Sequence, residues 1–294
     1  MGLVAGIETG GTKILARIVE LDSGRTVAER RWPTGTADEA AGALASFLAE
    51  APGRLAGVGM AAFGPLIVDP GSADQGRMLA TPKPGWAGSN LRAELQKRLG
   101  VPVAVDTDVN AAAIAEQVLG AGAGLPTVAY VTVGTGIGAG LAVGGNSLKG
   151  ALHPEAGHLR LVRRADDAVP SNCPFHHDCA EGLAAGPAVL ARLGPGRELA
   201  DDSAVMALVG DYLGQLAAAL VLAWSPHRIV WGGGVIGAAP LLPMIEEKMV
   251  ASLGGYGAGP QVEQPGFCAP AALANAGLEG ALLMARGVAR RATS

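Results

Sequence analysis

Two aspartates, Asp106 and Asp108, flank Thr107 directly after the apolar run Val101–Val105 and are followed by Val109-Asn110. The run reads as a strand, so the carboxylates stand at a strand's carboxyl end, the edge at which open α/β sheets bind ligands. A carboxylate there can accept the proton of an attacking hydroxyl, a role that contributes about 10²–10⁴ in rate. The same residues can instead cap a helix, with Asp108 or Asn110 accepting N–H groups of the alanine-rich stretch that runs to Leu119. Two Gly/Thr segments offer complementary chemistry. Gly10-Gly11-Thr12-Lys13 follows the apolar run Leu3–Ile7 and Glu8-Thr9, and Gly134-Thr135-Gly136 follows Val128–Val133. Turns of this composition leave backbone N–H groups pointing outward and can bind phosphate oxygens; either one alone can also be a plain hairpin turn. Neither is a P-loop, since G-x-x-x-x-G-K-[ST] is absent. A third site, Gly232-Gly233-Gly234, follows the strand-like Arg228–Trp231 and would let a flat ligand such as a base and ribose lie on the backbone, or serve as a flexible turn.

Four of the five histidines and two of the three cysteines fall between His153 and Cys179. Cys173, His176 and Cys179 have C-x₂-H-x₂-C spacing, and His158 supplies a fourth ligand from upstream; His177 can replace His176. Two thiolates and two imidazoles favour tetrahedral Zn²⁺, and four protein ligands without an open position make a structural site. Glu155 and His158 are three apart, which can place them on one side of a turn where they could hydrogen-bond a polyol. A solvated turn explains Glu155 as well.

The elements that must position these groups repeat. Leu3–Ile7, Ile14–Val19 and Thr26–Trp32 read as strands, Ala37–Ala51 as a helix, Leu55–Phe63 as a buried strand ending at Gly64-Pro65, and Asn90 as the cap of a helix through Leu99. After Ala121-Gly122-Ala123-Gly124, read as a junction, the strand, Gly/Thr turn, strand pattern recurs, with Ile137–Val143 as the return strand. Helices are then expected at Asp202–Ala223, Leu241–Leu253 and Leu278–Arg290. The order is α/β and implies an internal duplication, with domains at 1–119 and 120–294, the second carrying the metal segment and the last helix free to pack back on the first.

Bulk properties narrow the classes. The chain has 294 residues, 49% apolar and 16% charged, enough to bury a large core. A net charge of −4 with no basic stripe argues against nucleic acid as the main partner. The start, Met1-Gly2-Leu3-Val4-Ala5, does not read as a secretory leader. The longest apolar stretch, around Leu216–Trp224, reads as too short to span a bilayer, so no membrane partner is expected. Three cysteines are too few for a disulfide framework, which fits a reducing, cytoplasmic setting.

Together these motifs resemble the ROK family (repressors, open reading frames and kinases) of sugar kinases. Gly6–Lys13 is similar to its first phosphate motif, Thr132–Gly138 to the second and Gly232–Gly234 to its adenosine motif. Glu155–His158 and Cys173–Glu181 are similar to its signature region, and the likeness extends to Asn275–Ala281. The resemblance implies two actin-like, ribonuclease-H-like domains with an active-site cleft between them, ATP with Mg²⁺, and a hexose. It implies Asp108 as catalytic base and Glu155, His158 and Glu181 as sugar contacts, His158 also binding zinc. It places Thr135, Gly186 and Pro187 near the nucleotide and Glu8 near magnesium, and it implies a homodimer. Four positions depart from the common pattern: Glu8 stands for Asp, Thr107 for Asn, Lys83 for Asn, and the metal segment is Cys-x₂-His-x₂-Cys rather than three cysteines. All four resemble the bacterial fructokinase branch. Fructose is therefore the expected substrate, giving fructose 6-phosphate, with mannose and glucose as alternatives. A sugar-sensing ROK regulator without catalysis is the alternative of another class. Such regulators carry a helix-turn-helix before the first motif, where five residues precede Gly6 here.

Overall fold

Strands β1 (Leu3–Thr9) and β2 (Lys13–Glu20) form an antiparallel hairpin in a computed structural model that describes residues 2–81, 83–256 and 259–292. Pro82, in the Thr81-Pro82-Lys83 segment, lies outside the described residues. The chain divides into two compact units. The first comprises Met1–Ala115, Ser147–His153 and Asn275–Ser294; the second comprises Glu116–Asn146 and Pro154–Ala274.

In the first unit, β3 (Thr26–Pro33), β4 (Leu55–Ala62) and β5 (Val103–Thr107) complete a sheet of order β3-β2-β1-β4-β5. β1, β4 and β5 run parallel, and β1, β2 and β3 alternate. β1 and β4 are almost continuously apolar because both faces are covered. β3 carries Glu29, Arg30 and Arg31 and occupies an edge, where charge discourages further pairing. Helix α1 (Ala37–Ala49) starts in a capping box: Thr36 Oγ1 accepts from the Glu39 N–H, and the Glu39 carboxylate accepts from the Thr36 N–H. Asn90 caps α2 (Leu91–Leu99), which Gly100 ends at φ 65°. β5 begins two residues later than the apolar pattern predicts and runs through Thr107, so Asp106 lies within the strand.

Helix α8 (Ala276–Arg291) covers the other face of β1 and β4. Its approach is very close: a Cβ on Gly59 would lie 1.9 Å from the Ala281 carbonyl oxygen, so β4 needs glycine there. α3 (Asp108–Val118) meets the same helix, where a Cβ on Gly280 would lie 1.9 Å from the Ala111 carbonyl. The boundary between the units falls inside α3, after Ala115.

The second unit repeats the plan. β6 (Thr127–Val133), β7 (Ile137–Val143), β8 (Asn146–Ser147), β9 (Arg228–Gly232) and β10 (Cys268–Pro270) form a sheet of order β8-β7-β6-β9-β10, the same succession as in the first unit, with β8 falling where the chain passes from the second unit at Asn146 to the first at Ser147. Two short helices, α4 (Ala180–Ala184) and α5 (Gly186–Leu193), precede α6 (Ser203–Trp224) and α7 (Leu241–Ser252). α6 corrects the expectation drawn from Leu216–Trp224. Asp211 and Gln215 interrupt the apolar run without ending the helix, so this 22-residue helix, with an 18-residue window at a mean hydropathy of 1.8, is long and apolar enough to cross a membrane. In the structure 61% of that window is buried, with Val209, Tyr212, Leu213, Leu216 and Leu220 in the core of the unit.

The glycine contact in β4 yields a stability test. Gly59→Val should lower stability by about 1–3 kcal/mol or more, read from the denaturant midpoint. Gly42→Ala, in α1 where an added Cβ meets nothing within 4 Å, should instead raise it by about 0.5–1 kcal/mol. An unchanged midpoint for Gly59→Val would contradict the packing.

Candidate active site

Asp108 is the first residue of α3 and follows β5 directly. Its Oδ1 accepts the Val109 N–H at 2.9 Å, and the residue is half-buried. The neighbouring cap is supplied by Thr107, whose Oγ1 accepts the Asn110 N–H at 3.1 Å. Asp106 is fully buried and committed to four donors. Its Oδ1 accepts from Thr107 N–H at 2.8 Å and Asn110 Nδ2 at 2.7 Å; its Oδ2 accepts from Ser147 Oγ and Lys149 Nζ, both at 2.6 Å. Of the two aspartates, Asp108 is thus the one with solvent-accessible surface.

The first glycine turn, Gly10-Gly11-Thr12, joins β1 to β2 with its carbonyls engaged. Thr34 Oγ1 donates to Gly10 O at 2.6 Å, Lys83 Nζ to Gly11 O at 2.6 Å and Thr34 N–H to Thr12 O at 3.1 Å. Gly10 N–H bonds Lys13 O at 2.8 Å. Among the described residues the N–H groups of Gly11 and Thr12 have no acceptor, and both residues are exposed. Carbonyls held and N–H groups presented is the arrangement that receives an anion. Glu8, on β1, accepts the Leu278 N–H. Burial raises its pKa, while nearby Lys13 and that N–H act in the opposite direction. Thr34 carried no signal in the sequence, and Lys83 stood out only as a departure from the family pattern.

The second turn is built alike in its own unit. Gly134 N–H bonds Gly136 O at 2.9 Å, and Gly186 N–H bonds Gly134 O at 2.7 Å. Thr135 is exposed, and among the described residues the N–H groups of Thr135 and Gly136 have no acceptor. Three other glycines press on this turn. A Cβ would lie 2.3 Å from Val133 O if added at Gly233, 2.9 Å from Gly134 O at Gly186 and 1.8 Å from Ile137 O at Gly157. Gly233 also has φ 92°, which L side chains rarely adopt. The structure therefore brings Gly186 and Gly233 to Gly134–Gly136, with Pro187 opening α5 and Gly232 and Gly234 flanking Gly233.

Glu181 on α4 lies beneath the same turn, its Oε2 accepting the Ile137 N–H at 3.0 Å. Glu155 is exposed and immediately precedes the 3-10 turn Ala156–His158.

His158, Cys173, His176 and Cys179 converge, their four ligand atoms all within 4.8 Å of one another. Cys173 Sγ lies 3.9 Å from His158 Nδ1 and 3.7 Å from His176 Nδ1, and Cys179 Sγ lies 3.8 Å from His158 Nδ1. A tetrahedral ion at about 2.3 Å from sulfur and about 2.0 Å from nitrogen would space such atoms about 3.5 Å apart, so the cage fits a metal after a small contraction. His177 is exposed and outside the group. Cys179 caps α4, and its Sγ accepts the Gly182 N–H at 3.4 Å. Burial pushes the Cys179 thiol up to about 11, so a thiolate there needs a cation.

A model of the family described as ROK matches residues 4–288. The chain belongs to the ROK family. Its two α/β domains have the actin-like fold of ROK sugar kinases. It is 37% identical to a fructokinase of Pediococcus pentosaceus over 292 residues, 99% of this chain and 100% of the other. It is 36% identical to a fructokinase of Zymomonas mobilis over 266 residues, 88% of each chain. Among solved structures, the ROK hexokinase of Thermus thermophilus superimposes at TM-score 0.78 and 31% identity, covering 98% of this chain and 99% of that one. A ROK glucokinase of Streptomyces griseus, solved with glucose and AMPPNP, gives 0.73 and 28%, covering 97% and 100%.

The cage makes a direct prediction. Gently purified protein should carry about one metal ion per chain, and Cys179→Ser should lose it. Elemental analysis decides, and metal-free wild-type protein would contradict the site.

Proposed function

We propose that this ROK chain transfers the γ-phosphoryl group of ATP to fructose, giving fructose 6-phosphate and ADP. The observation that carries the reading is the repeated turn: the carbonyls of Gly10, Gly11 and Thr12 in one unit and of Gly134 and Gly136 in the other are engaged, while N–H groups of both turns remain available to an anion. Gly10, Gly11, Thr12 and Lys13 in one unit and Gly134, Thr135 and Gly136 in the other would hold the phosphates. Gly186, Pro187 and Gly232–Gly234, which cluster on the second turn, would flank the nucleoside.

Asp108 is the proposed base. As the sugar hydroxyl oxygen bonds to the γ-phosphorus, its proton passes to the Asp108 carboxylate, and the bond from that phosphorus to the bridging oxygen of ADP breaks. Glu155, His158 and Glu181 would hydrogen-bond the sugar. Glu181 can do so while Oε2 supports Ile137, because its other oxygen remains for a hydroxyl. Magnesium carried with ATP would neutralise phosphate charge, with Glu8, two residues before the first turn, as the carboxylate on that side. Zinc is the ion we assign to the four-ligand cage, which offers two thiolates, two imidazoles and no open position.

Fructose is favoured by Glu8, Thr107, Lys83 and the Cys-x₂-His-x₂-Cys segment, together with the fructokinases among the relatives. Glucose is the second reading, since a glucokinase of Streptomyces coelicolor is 32% identical over 195 residues. A cytoplasmic homodimer completes the proposal on family resemblance.

Asp108→Asn should lower kcat by about a hundredfold or more while fructose still binds. ADP release with fructose, mannose, glucose and N-acetylmannosamine compared side by side should be fastest per enzyme with fructose at low sugar concentration. Full activity in Asp108→Asn would remove that residue from the base role, and a preference for glucose would replace the substrate.

A further inference from the structure

Residues 147–153 leave the second unit after Asn146, join the first, and return at Pro154. An excursion of this kind would ordinarily be held by its apolar side chains. Here Leu148 and Leu152 are 43% and 62% exposed, and Gly150 and Ala151 are exposed as well. The fastenings are polar. Ser147 Oγ and Lys149 Nζ both donate to Asp106 Oδ2 at 2.6 Å, and His153 Nε2 accepts the Leu66 N–H at 3.3 Å. Asp106 is fully buried and has both oxygens doubly engaged, so it has no capacity left for substrate.

We infer that the Asp106–Lys149 ion pair is a positioning lock that fixes the 147–153 strap and, through it, the sugar contacts. Such a pair adds little net stability compared with apolar packing, but leaving the fully buried Asp106 carboxylate without its cation is costly, which holds Lys149 where it stands. The lock sits at two informative points of the chain. Asp106 is two residues before Asp108, and His153 is two residues before Glu155. A strap held by its leucines could slide while keeping its contacts. One held by Ser147 and Lys149, both donating to a carboxylate that Thr107 and Asn110 fix from the other oxygen, cannot. The strap should therefore govern sugar affinity and leave the nucleotide turns, which have their own fastenings, unaffected. This inference rests on the reading of Asp108 and Glu155 as sugar contacts.

The test compares wild type with Lys149→Met, Lys149→Arg and the double variant Asp106→Asn/Lys149→Met, which removes the unpaired buried charge and keeps the chain foldable. Lys149→Met should raise KM for fructose about tenfold, with KM for ATP changed by less than about twofold. Lys149→Arg should recover most of the affinity, and the double variant should show a wild-type thermal midpoint with KM for fructose still raised. Hydrogen exchange should quicken in peptides covering 147–153 in both Met variants and stay unchanged in peptides covering residues 10–13. A double variant with wild-type KM for fructose and wild-type exchange overturns the lock. Equal rises in both KM values with a lowered midpoint overturn it too, as they mark a general structural role. If wild-type protein phosphorylates no hexose, the proposed function fails, and the exchange data alone then judge the lock.

Discussion

Backbone lying directly on backbone is the constraint on which both units depend. In the first unit, α8 approaches β4 so closely that the Ala281 carbonyl occupies the space where a Cβ on Gly59 would be. In the second, Gly157, Gly186 and Gly233 bring three separate segments against the residues Val133–Ile137. Side chains at these positions would separate the layers and leave buried backbone groups without partners. The 45 glycines of this chain are thus partly structural keystones rather than loosening elements.

The chemistry follows from that closeness. A turn that binds an anion must aim N–H groups outward and hold its carbonyls elsewhere. At the first turn Thr34 and Lys83 hold the carbonyls; at the second, Gly186 does so through a backbone bond and Glu181 braces the start of β7. The supports are chemically different although the sheets have one strand order. The turn recurs in both units, and each fixes it by its own means. Asp106 shows the same division of labour at the end of β5, being wholly engaged in structure two residues before the carboxylate with exposed surface.

Much of this was legible in the sequence, because strong periodicity and turn chemistry agree with the fold. The hairpins at Gly10–Thr12 and Gly134–Gly136, the cap at Asn90, and the convergence of His158, Cys173, His176 and Cys179 all rest on local signals, whereas the cap expected of Asp108 or Asn110 is shared with Thr107. Contacts distant in sequence left no trace. Nothing in Ser147–His153 marks it as part of the first unit, since Ser, Lys and His there read as ordinary loop residues until Asp106 and Leu66 are placed beside them. The short helices Ala180–Ala184 and Gly186–Leu193 were also missed, being too brief for a helical period to show. The apolar extent of Ser203–Trp224 was underestimated because Asp211 and Gln215 break the run in sequence but not the helix. Choosing His176 over His177 required geometry, as both have workable spacing.

The central claim is that each glycine turn binds phosphate and that Asp108 addresses the sugar. A crystal structure with fructose and a non-hydrolysable ATP analogue tests it most directly. The account predicts phosphate oxygens on the N–H groups of Gly11, Thr12, Thr135 and Gly136, and an Asp108 oxygen about 2.6–3.2 Å from the reacting fructose hydroxyl. Phosphates bound away from either turn, or a sugar that Asp108 does not touch, would contradict it.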